Sequence, residues 1–270
     1  MSDRDIQAFR ELVLGYYEEH SRDLPWRRTR DPYAILVSEV MLQQTQVPRV
    51  IPKYEAFLGA FPDVEVLASA ELAEVLAAWS GLGYNRRAKS LKQAAETIVA
   101  EYGGRVPGTV EGLTALPGIG FATAAQILAF AFDVAVPFIE TNIRSVYIHE
   151  FFGDAEGIPD SAILPLVEAT LDHDDPRTWY YAIMDYGTHL KSTLPNPSRR
   201  SAHHTKQSRF EGSMRQVRGA LLREITARPG QSVAKLADTT GFEADRVESA
   251  LEALATEGFL IAEDGCYRIA

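Results

Sequence analysis

The chain has 270 residues, a formal net charge of −10, and hydrophobic (46%) and charged (24%) contents in the range of soluble globular proteins, enough for one large or two modest cores. No apolar run approaches the roughly 20 residues of a membrane helix, and MSDRDIQAFRELV lacks the basic stretch and short apolar core of a secretory signal, so a cytoplasmic protein is expected. The single cysteine, Cys266, excludes an internal disulfide and any metal site built on several thiolates.

Along the chain, short apolar-periodic blocks alternate with Pro- and Gly-rich turn signals, which predicts an all-α protein. Leu67, Leu72, Val75, Leu76 and Trp79 recur at helical spacing, as do Leu91, Ala94, Ala95, Ile98 and Val99, and all are expected in the core. Leu190 to Gly212 is poor in large apolar residues and rich in Pro, Ser, Arg and His, and is expected to be an extended, exposed connection. Beyond it the pattern predicts helices from Met214 to Ala227, Val233 to Thr239 and Ala244 to Glu257. A final ribbon then turns at Asp264-Gly265, giving a winged-helix-like module.

Charge is distributed unevenly. From Lys191 to Arg228 nine basic residues, Lys206 among them, face only Glu211 and Glu224, whereas Pro229 to Ala270 holds eight acidic residues against three basic ones. A basic belt on an acidic chain is either a solvated face or a polyanion-binding surface.

Four segments hold residue types that carry chemistry. In SEVMLQQTQV, apolar neighbours surround Glu39 at a helix start. It is either a side chain that favours the helix dipole or a partly buried acid with a raised pKa, suited to proton donation. Gln43 and Gln44 are amides able to read base edges or to sit on the surface. In WSGLGYNRRAKSL a glycine turn projects Tyr84 beside Arg86 and Arg87, which suits base stacking with phosphate neutralisation as well as it suits a packed turn. LPGIG (Leu116, Gly118, Ile119, Gly120) opens a helix with two glycines, a turn that exposes consecutive N–H groups to a phosphate or simply closes a hairpin. In PFIETNIRSV, Glu140 is either an acid at the next helix N-terminus or a second carboxylate of the same site, with Asn142 and Arg144 following.

Together, LPWR, SEVMLQQTQV, WSGLGY and LPGIG resemble the helix-hairpin-helix DNA glycosylase superfamily, specifically its MutY-like adenine glycosylases, over about Leu24 to Tyr186. The resemblance implies a two-lobed fold: a six-helix barrel over 28–133, a second helical lobe from 1–27 and 134–211, and the winged-helix-like module over 212–270. It implies that Glu39 protonates the target purine, that Glu140 stands where the family has Asp, that Gln43, Gln44 and Tyr84 enter the duplex, and that the Leu116–Gly120 hairpin holds the backbone with a monovalent cation. Arg86, Arg87, Asn142, Arg144, Lys191, Arg199 and Arg200 are expected at the DNA as well. Ala122 occupies the position of the lysine nucleophile in backbone-cutting relatives, so a monofunctional enzyme is implied. Glu140 is one methylene longer than Asp, a reach of up to ~1.5 Å, and misplacement of that size costs ~100-fold in rate. The four cluster-ligand positions fall at Lys191, Ser198, Ser201 and Gln207, so no iron–sulfur cluster and no other cofactor is expected.

The implied substrate is adenine opposite 8-oxoguanine or guanine in double-stranded DNA, processed by a nucleoid-associated monomer. Thymine, uracil or another damaged base opposite guanine is the alternative substrate. A non-catalytic DNA-structure or lesion binder and a winged-helix transcription regulator are the alternatives without that chemistry. The presumed recognition helix carries Glu243, Asp245, Glu248, Glu252 and Glu257 against Arg246 alone, so the module is expected to be structural or to bind a protein partner.

Overall fold

The computed structural model describes residues 2–205 and 209–270, so Lys206 and Gln207, expected in the basic belt and at a ligand position, lie outside the described residues. The chain groups into two compact units: 1–39, 107–115 and 119–206 form the first, and 40–106, 116–118 and 207–270 the second. No described helix is long and apolar enough to cross a membrane.

In the first unit, α1 (Asp3–His20), α9 (Thr141–Phe151), α10 (Asp160–Thr170) and α11 (Pro176–Thr193) pack around one aromatic cluster. There the Phe9 ring lies 5.4 Å from Tyr147, 5.0 Å from Phe151 and 5.9 Å from Trp179, edge or tilted arrangements that aromatic quadrupoles favour. A 3₁₀ turn, Pro25–Arg27, leads to α2 (Pro32–Leu42), an almost wholly buried helix. The short α7 (Val110–Thr114), capped by the Thr109 hydroxyl, packs on α8 (Phe121–Phe132).

The second unit contains α3 (Val47–Ala60), α4 (Val64–Ser69), α5 (Leu72–Trp79) and α6 (Arg86–Tyr102). Leu67, Leu72, Val75, Leu76, Trp79, Leu91, Ala94, Ala95 and Ile98 are buried as their spacing predicts, but Val99 is 37% exposed because it lies beyond the buried face of α6. The C-terminal module falls in this unit: α12 (Met214–Ala227), α13 (Val233–Thr240), α14 (Ala244–Thr256) and a three-stranded antiparallel sheet ordered β1 (Gln231–Ser232), β3 (Cys266–Ile269), β2 (Leu260–Glu263). Asp264 and Gly265 both take positive φ at the β2–β3 turn, as a two-residue hairpin requires. α12 packs on α5, and Lys89 donates to the carbonyl oxygens of Glu257 and Gly258, so the module is seated on α5 and α6 of its own unit.

The expected extended connection from Leu190 to Gly212 is only partly so. α11 continues through Thr193, a 3₁₀ turn follows at Pro197–Arg200, and Pro197, Ser198 and Ser201 are buried. The chain finds backbone partners instead of solvent: Ile158 N–H donates to Arg200 O at 3.0 Å and Ala202 N–H to Ile158 O at 2.9 Å.

Glu257 joins the module to α6. It accepts two hydrogen bonds from Arg218, at 2.8 and 2.6 Å, and pairs with Arg86 at 3.1 Å. The Arg218 hydrogen bonds foremost hold its carboxyl down to about 2. The depressed pKa means that the stabilisation is present above pH 4.5 and is lost as pH falls from there towards 2. Because the group is partly solvated, Glu257→Gln is expected to lower stability by only about 1 kcal/mol at pH 7 and low salt. Chemical denaturation of both proteins at pH 7 and pH 3 checks this: the difference shrinks at pH 3.

Candidate active site

Two carboxylates interact in the first unit, Glu39 buried and Glu140 half-buried. Glu39 is 5% exposed and sits at the eighth of eleven positions in α2, not at a helix start as its sequence context suggests. The burial follows from the run PYAILVSEVML, whose residues from Tyr33 to Met41 are all buried, so the acid enters the interior with its helix. That burial first, and the nearby Glu140 charge second, push the Glu39 carboxyl up to about 8, against a smaller opposing effect of Arg27.

Glu140 is the N-cap of α9. Its Oε1 accepts from the Asn142 and Ile143 backbone N–H groups at 2.6 and 2.8 Å, and Oε2 accepts from Asn142 Nδ2 at 3.1 Å. Burial raises its pKa too, but these donors and the Lys191 ammonium work the other way. Three donors and a helix N-terminus favour the anion, and its charge in turn raises the Glu39 carboxyl. Asn142 thus serves Glu140, and is itself held by Thr188 Oγ1 at 3.3 Å.

The frame of this pair depends on α11. Gly187 lies against the start of α9: a Cβ there would sit 2.4 Å from Asn142 O, so only glycine allows the approach. Two residues earlier, buried Asp185 accepts from Arg27 Nη1 and Nη2, each at 2.7 Å, and from the Arg22 N–H and Nε at 3.0 and 2.6 Å. Burial alone would raise the Asp185 carboxyl, but Arg27 foremost, with Arg22, holds it below the usual carboxylate range. Arg27 also lies over the Tyr181 ring at 4.4 Å. Sequence reading singled out LPWR as a motif fragment but did not assign roles to Arg27, Asp185 or Gly187. A buried pair 158 residues apart leaves no local periodicity to read.

The remaining expected residues are placed as follows. In the hairpin, Leu116 and Ile119 are buried, Gly118 has φ +78°, and Gly120 is the N-cap of α8 and makes no side-chain cap hydrogen bond. Tyr84 and Gln44 are exposed with φ +48° and +55°, two of the four non-glycine residues with positive φ among those described. Trp79 Nε1 donates to Gly83 O at 3.1 Å and fixes the turn that carries Tyr84.

Three arginines expected at DNA direct their guanidinium groups into the protein. Arg87 donates to the carbonyl oxygens of Val40, Met41 and Gln43, closing the end of α2. Arg144 pairs with Asp160 at 2.8 and 2.7 Å, and Arg200 donates to the oxygens of Ile148 and Gly153. Arg86 pairs with Glu257, Lys191 is half-buried and faces Glu140 electrostatically, and Arg199 is exposed.

An iron–sulfur cluster at the loop after α11 does not fit the residues present. Lys191 is an ammonium, the Ser198 hydroxyl donates to Asn196 Oδ1 at 2.8 Å, and the Ser201 hydroxyl accepts from the His203 N–H at 3.1 Å. These groups offer no thiolate.

A family model described as "HhH-GPD superfamily base excision DNA repair protein" matches residues 37–173. The chain belongs to that superfamily. Within it the chain is MutY-like. It is 39% identical over 227 residues to an adenine DNA glycosylase of Mycolicibacterium smegmatis, covering 78% of both chains, and 36% identical over 242 residues to that of Mus musculus, covering 84% of this chain but 45% of the relative. Among solved structures it is similar to a thermostable thymine-DNA glycosylase (TM-score 0.61, 26% identity, 68% of this chain and 87% of the other). An endonuclease III–DNA complex (TM-score 0.59, 16% identity, 72% and 89%) shares the fold.

Two outcomes follow from this geometry. Glu39 has a folded pKa above its unfolded value of 4.5, so stability is highest while both states are protonated and falls as pH rises from 4.5 to about 8. Glu39→Gln removes that loss and is expected to be more stable than the parent by on the order of 3–5 kcal/mol above pH 8, with little difference near pH 4.5. Melting curves of both proteins across pH 5–9 measure it, and parallel curves would show that Glu39 is not held neutral. Asp185→Asn leaves Arg27 buried and uncompensated, and is expected to cost about 3–5 kcal/mol at pH 7. Because the Asp185 pKa is depressed, this cost diminishes as pH falls below the model-compound value of 3.8, which urea titrations at pH 7 and pH 3 would show.

Proposed function

We propose that the chain is a monofunctional glycosylase of base excision repair that hydrolyses the N-glycosidic bond of adenine mispaired with 8-oxoguanine or guanine in double-stranded DNA. The observation that carries this reading is a buried carboxyl, Glu39, pushed up to about 8, beside a second one, Glu140, whose oxygens three donors hold at a helix N-terminus, in a chain 39% identical to an adenine DNA glycosylase. Glycosidic cleavage needs one group that gives a proton and one that stays anionic.

In this reading the exposed hairpin glycines and the uncapped start of α8 hold a backbone phosphate, and Tyr84 enters the base stack as the target nucleotide is everted. Glu39, neutral at physiological pH, gives its proton to N7 of the adenine and makes the base a better leaving group. As the C1′–N9 bond breaks, the bonding pair leaves with the base and the sugar becomes an oxocarbenium ion. The Glu140 carboxylate, oriented by Asn142 and the α9 N-terminus, stabilises that cation. Water then adds to C1′ and releases a proton, leaving an abasic site. Ala122 supplies no amine for a Schiff base, so the phosphodiester backbone stays intact.

Labelled duplexes carrying A opposite 8-oxoguanine, A·G, T·G and U·G, incubated and then treated with alkali, test the proposal. Strand breaks in the two adenine duplexes only after alkali are expected; breaks without alkali contradict the monofunctional reading. Product from T·G or U·G alone would assign the thymine or uracil substrate instead, towards which the likeness to a thymine-DNA glycosylase points. Glu39→Gln should lose about 10²–10⁴ in single-turnover rate while still binding DNA. The parent's rate should fall as pH rises past about 8, where Glu39 ionises.

A further inference from the structure

The second unit contains a cavity of about 1440 Å³ whose lining residues all belong to that unit; Glu39 and Glu140 are not among them. Pockets for small molecules usually fall within about 300–1,000 Å³, so this one is sized for part of a polymer. One wall carries Gln43, Gln44, Arg49 and Tyr84, and the other is α12 of the C-terminal module. Six arginines line it against one acid, Glu257, in a chain whose net charge is −10. Arg49 and Arg223 are exposed and make no ion pair among the described residues. Such a lining matches a polyanion.

Three further observations point to a nucleotide rather than to a protein partner. Tyr84, an exposed ring, stands at this cavity beside arginines and is touched from the module: Arg215 Nη1 donates to Tyr84 Oη at 3.1 Å. Tyr84 and Gln44 both hold a left-handed backbone conformation there, strain of ~1–3 kcal/mol that proteins keep at binding sites. Gly219 lies inside α12 and lines the same cavity, although a Cβ there would meet nothing within 4 Å. Glycine costs a helix ~1 kcal/mol relative to alanine, and no packing within the protein requires it. A bare stretch of helix beside an arginine pair is what close approach of a sugar–phosphate backbone needs.

We propose that the C-terminal module binds DNA through α12 and not through its acidic α14: the cavity takes an unstacked nucleotide, its base on Tyr84 and its flanking phosphates on Arg49, Arg215 and Arg223. This rests on the reading of the chain as a DNA glycosylase and extends it to a segment outside the matched family region, which ends at residue 173. The module then forms a second wall of the duplex-binding surface, with Arg215 orienting the tyrosine ring.

The test uses the full chain and a fluorescent duplex with a tetrahydrofuran abasic analogue opposite guanine, which cannot be cleaved. Binding is measured by anisotropy from 50 to 250 mM salt for the parent, R215A/R223A, G219L and, as a control on α14, R246A. R215A/R223A should weaken binding ~10–100-fold and reduce the slope of log K against log[salt] by about 1.8, the value for two phosphate contacts. G219L places a good helix former in open space, so it should melt at or above the parent's temperature while weakening binding at least ~10-fold. R246A should bind as the parent does. Parental affinity and slope in R215A/R223A and G219L overturn the proposal, as does a greater loss in R246A than in either. Base excision by the parent, assayed on the same preparations, separates the two readings. Excision with unaffected binding in the variants sinks the α12 surface alone, and weakened binding in the variants of a parent that excises nothing sinks the glycosylase reading alone. Failure of the parent to bind the duplex sinks both.

Discussion

The buried pair of Arg27 with Asp185 underlies the chemistry of the first unit. Arg27 is the one cation among the described residues that opposes the raised Glu39 pKa, and a bare guanidinium in a low-dielectric interior would strip the proton from a neighbouring acid. Asp185 prevents this by engaging both terminal nitrogens of Arg27 and filling its own remaining acceptor positions with Arg22. The result is that the charge of buried Arg27 is offset by Asp185, and a carboxylic acid beside it can stay protonated. The same aspartate begins the turn of α11 that brings Gly187 against α9, so the charge balance and the packing that places Glu140 come from one helix.

Much of this was legible in the sequence, in proportion to how local the signal was. The helices of the C-terminal module followed from apolar spacing and capping residues, and their ends fell within a residue of expectation. Segments dense in arginine were less legible. Arg87 looked like a DNA contact because charge beside an aromatic glycine turn suggests phosphate binding, Arg144 because it follows Glu140, and Arg200 because it lies in the basic belt. Their donors instead satisfy carbonyl oxygens and an aspartate brought close by the fold. An arginine has five donors and a long apolar stem, so its sequence neighbours say little about where its guanidinium ends up. Arg87 also reaches Leu82 and Gly83 nearby, but the partners named above lie between sixteen and 52 residues away.

The acidic tail hid a basic surface for the same reason. Counted along the chain, the last 42 residues are acidic and argue against a DNA role for the module. In space, α12 turns Arg215, Arg218 and Arg223 towards Tyr84, while Glu257 is spent on Arg218 and Arg86. Electrostatic character is a property of a face, and the face was formed by a helix whose charge had been counted with the preceding belt.

Glu140 shows how a departure from a family pattern can be absorbed. One methylene more than aspartate would carry the carboxylate past its position if the side chain extended. In this chain it does not extend: Glu140 is the N-cap of α9, and its Oε1 accepts from the N–H groups two and three residues ahead. An N-cap carboxylate is held by where those donors point, so the backbone of Asn142 and Ile143 determines the position of Oε1, and the extra carbon is taken up in the curl of the side chain. Asn142 Nδ2 then fixes Oε2. In the proposed reaction, what matters at the sugar is where the negative charge lies and how it is solvated, and both would be set by the helix end rather than by the length of the side chain that reaches it.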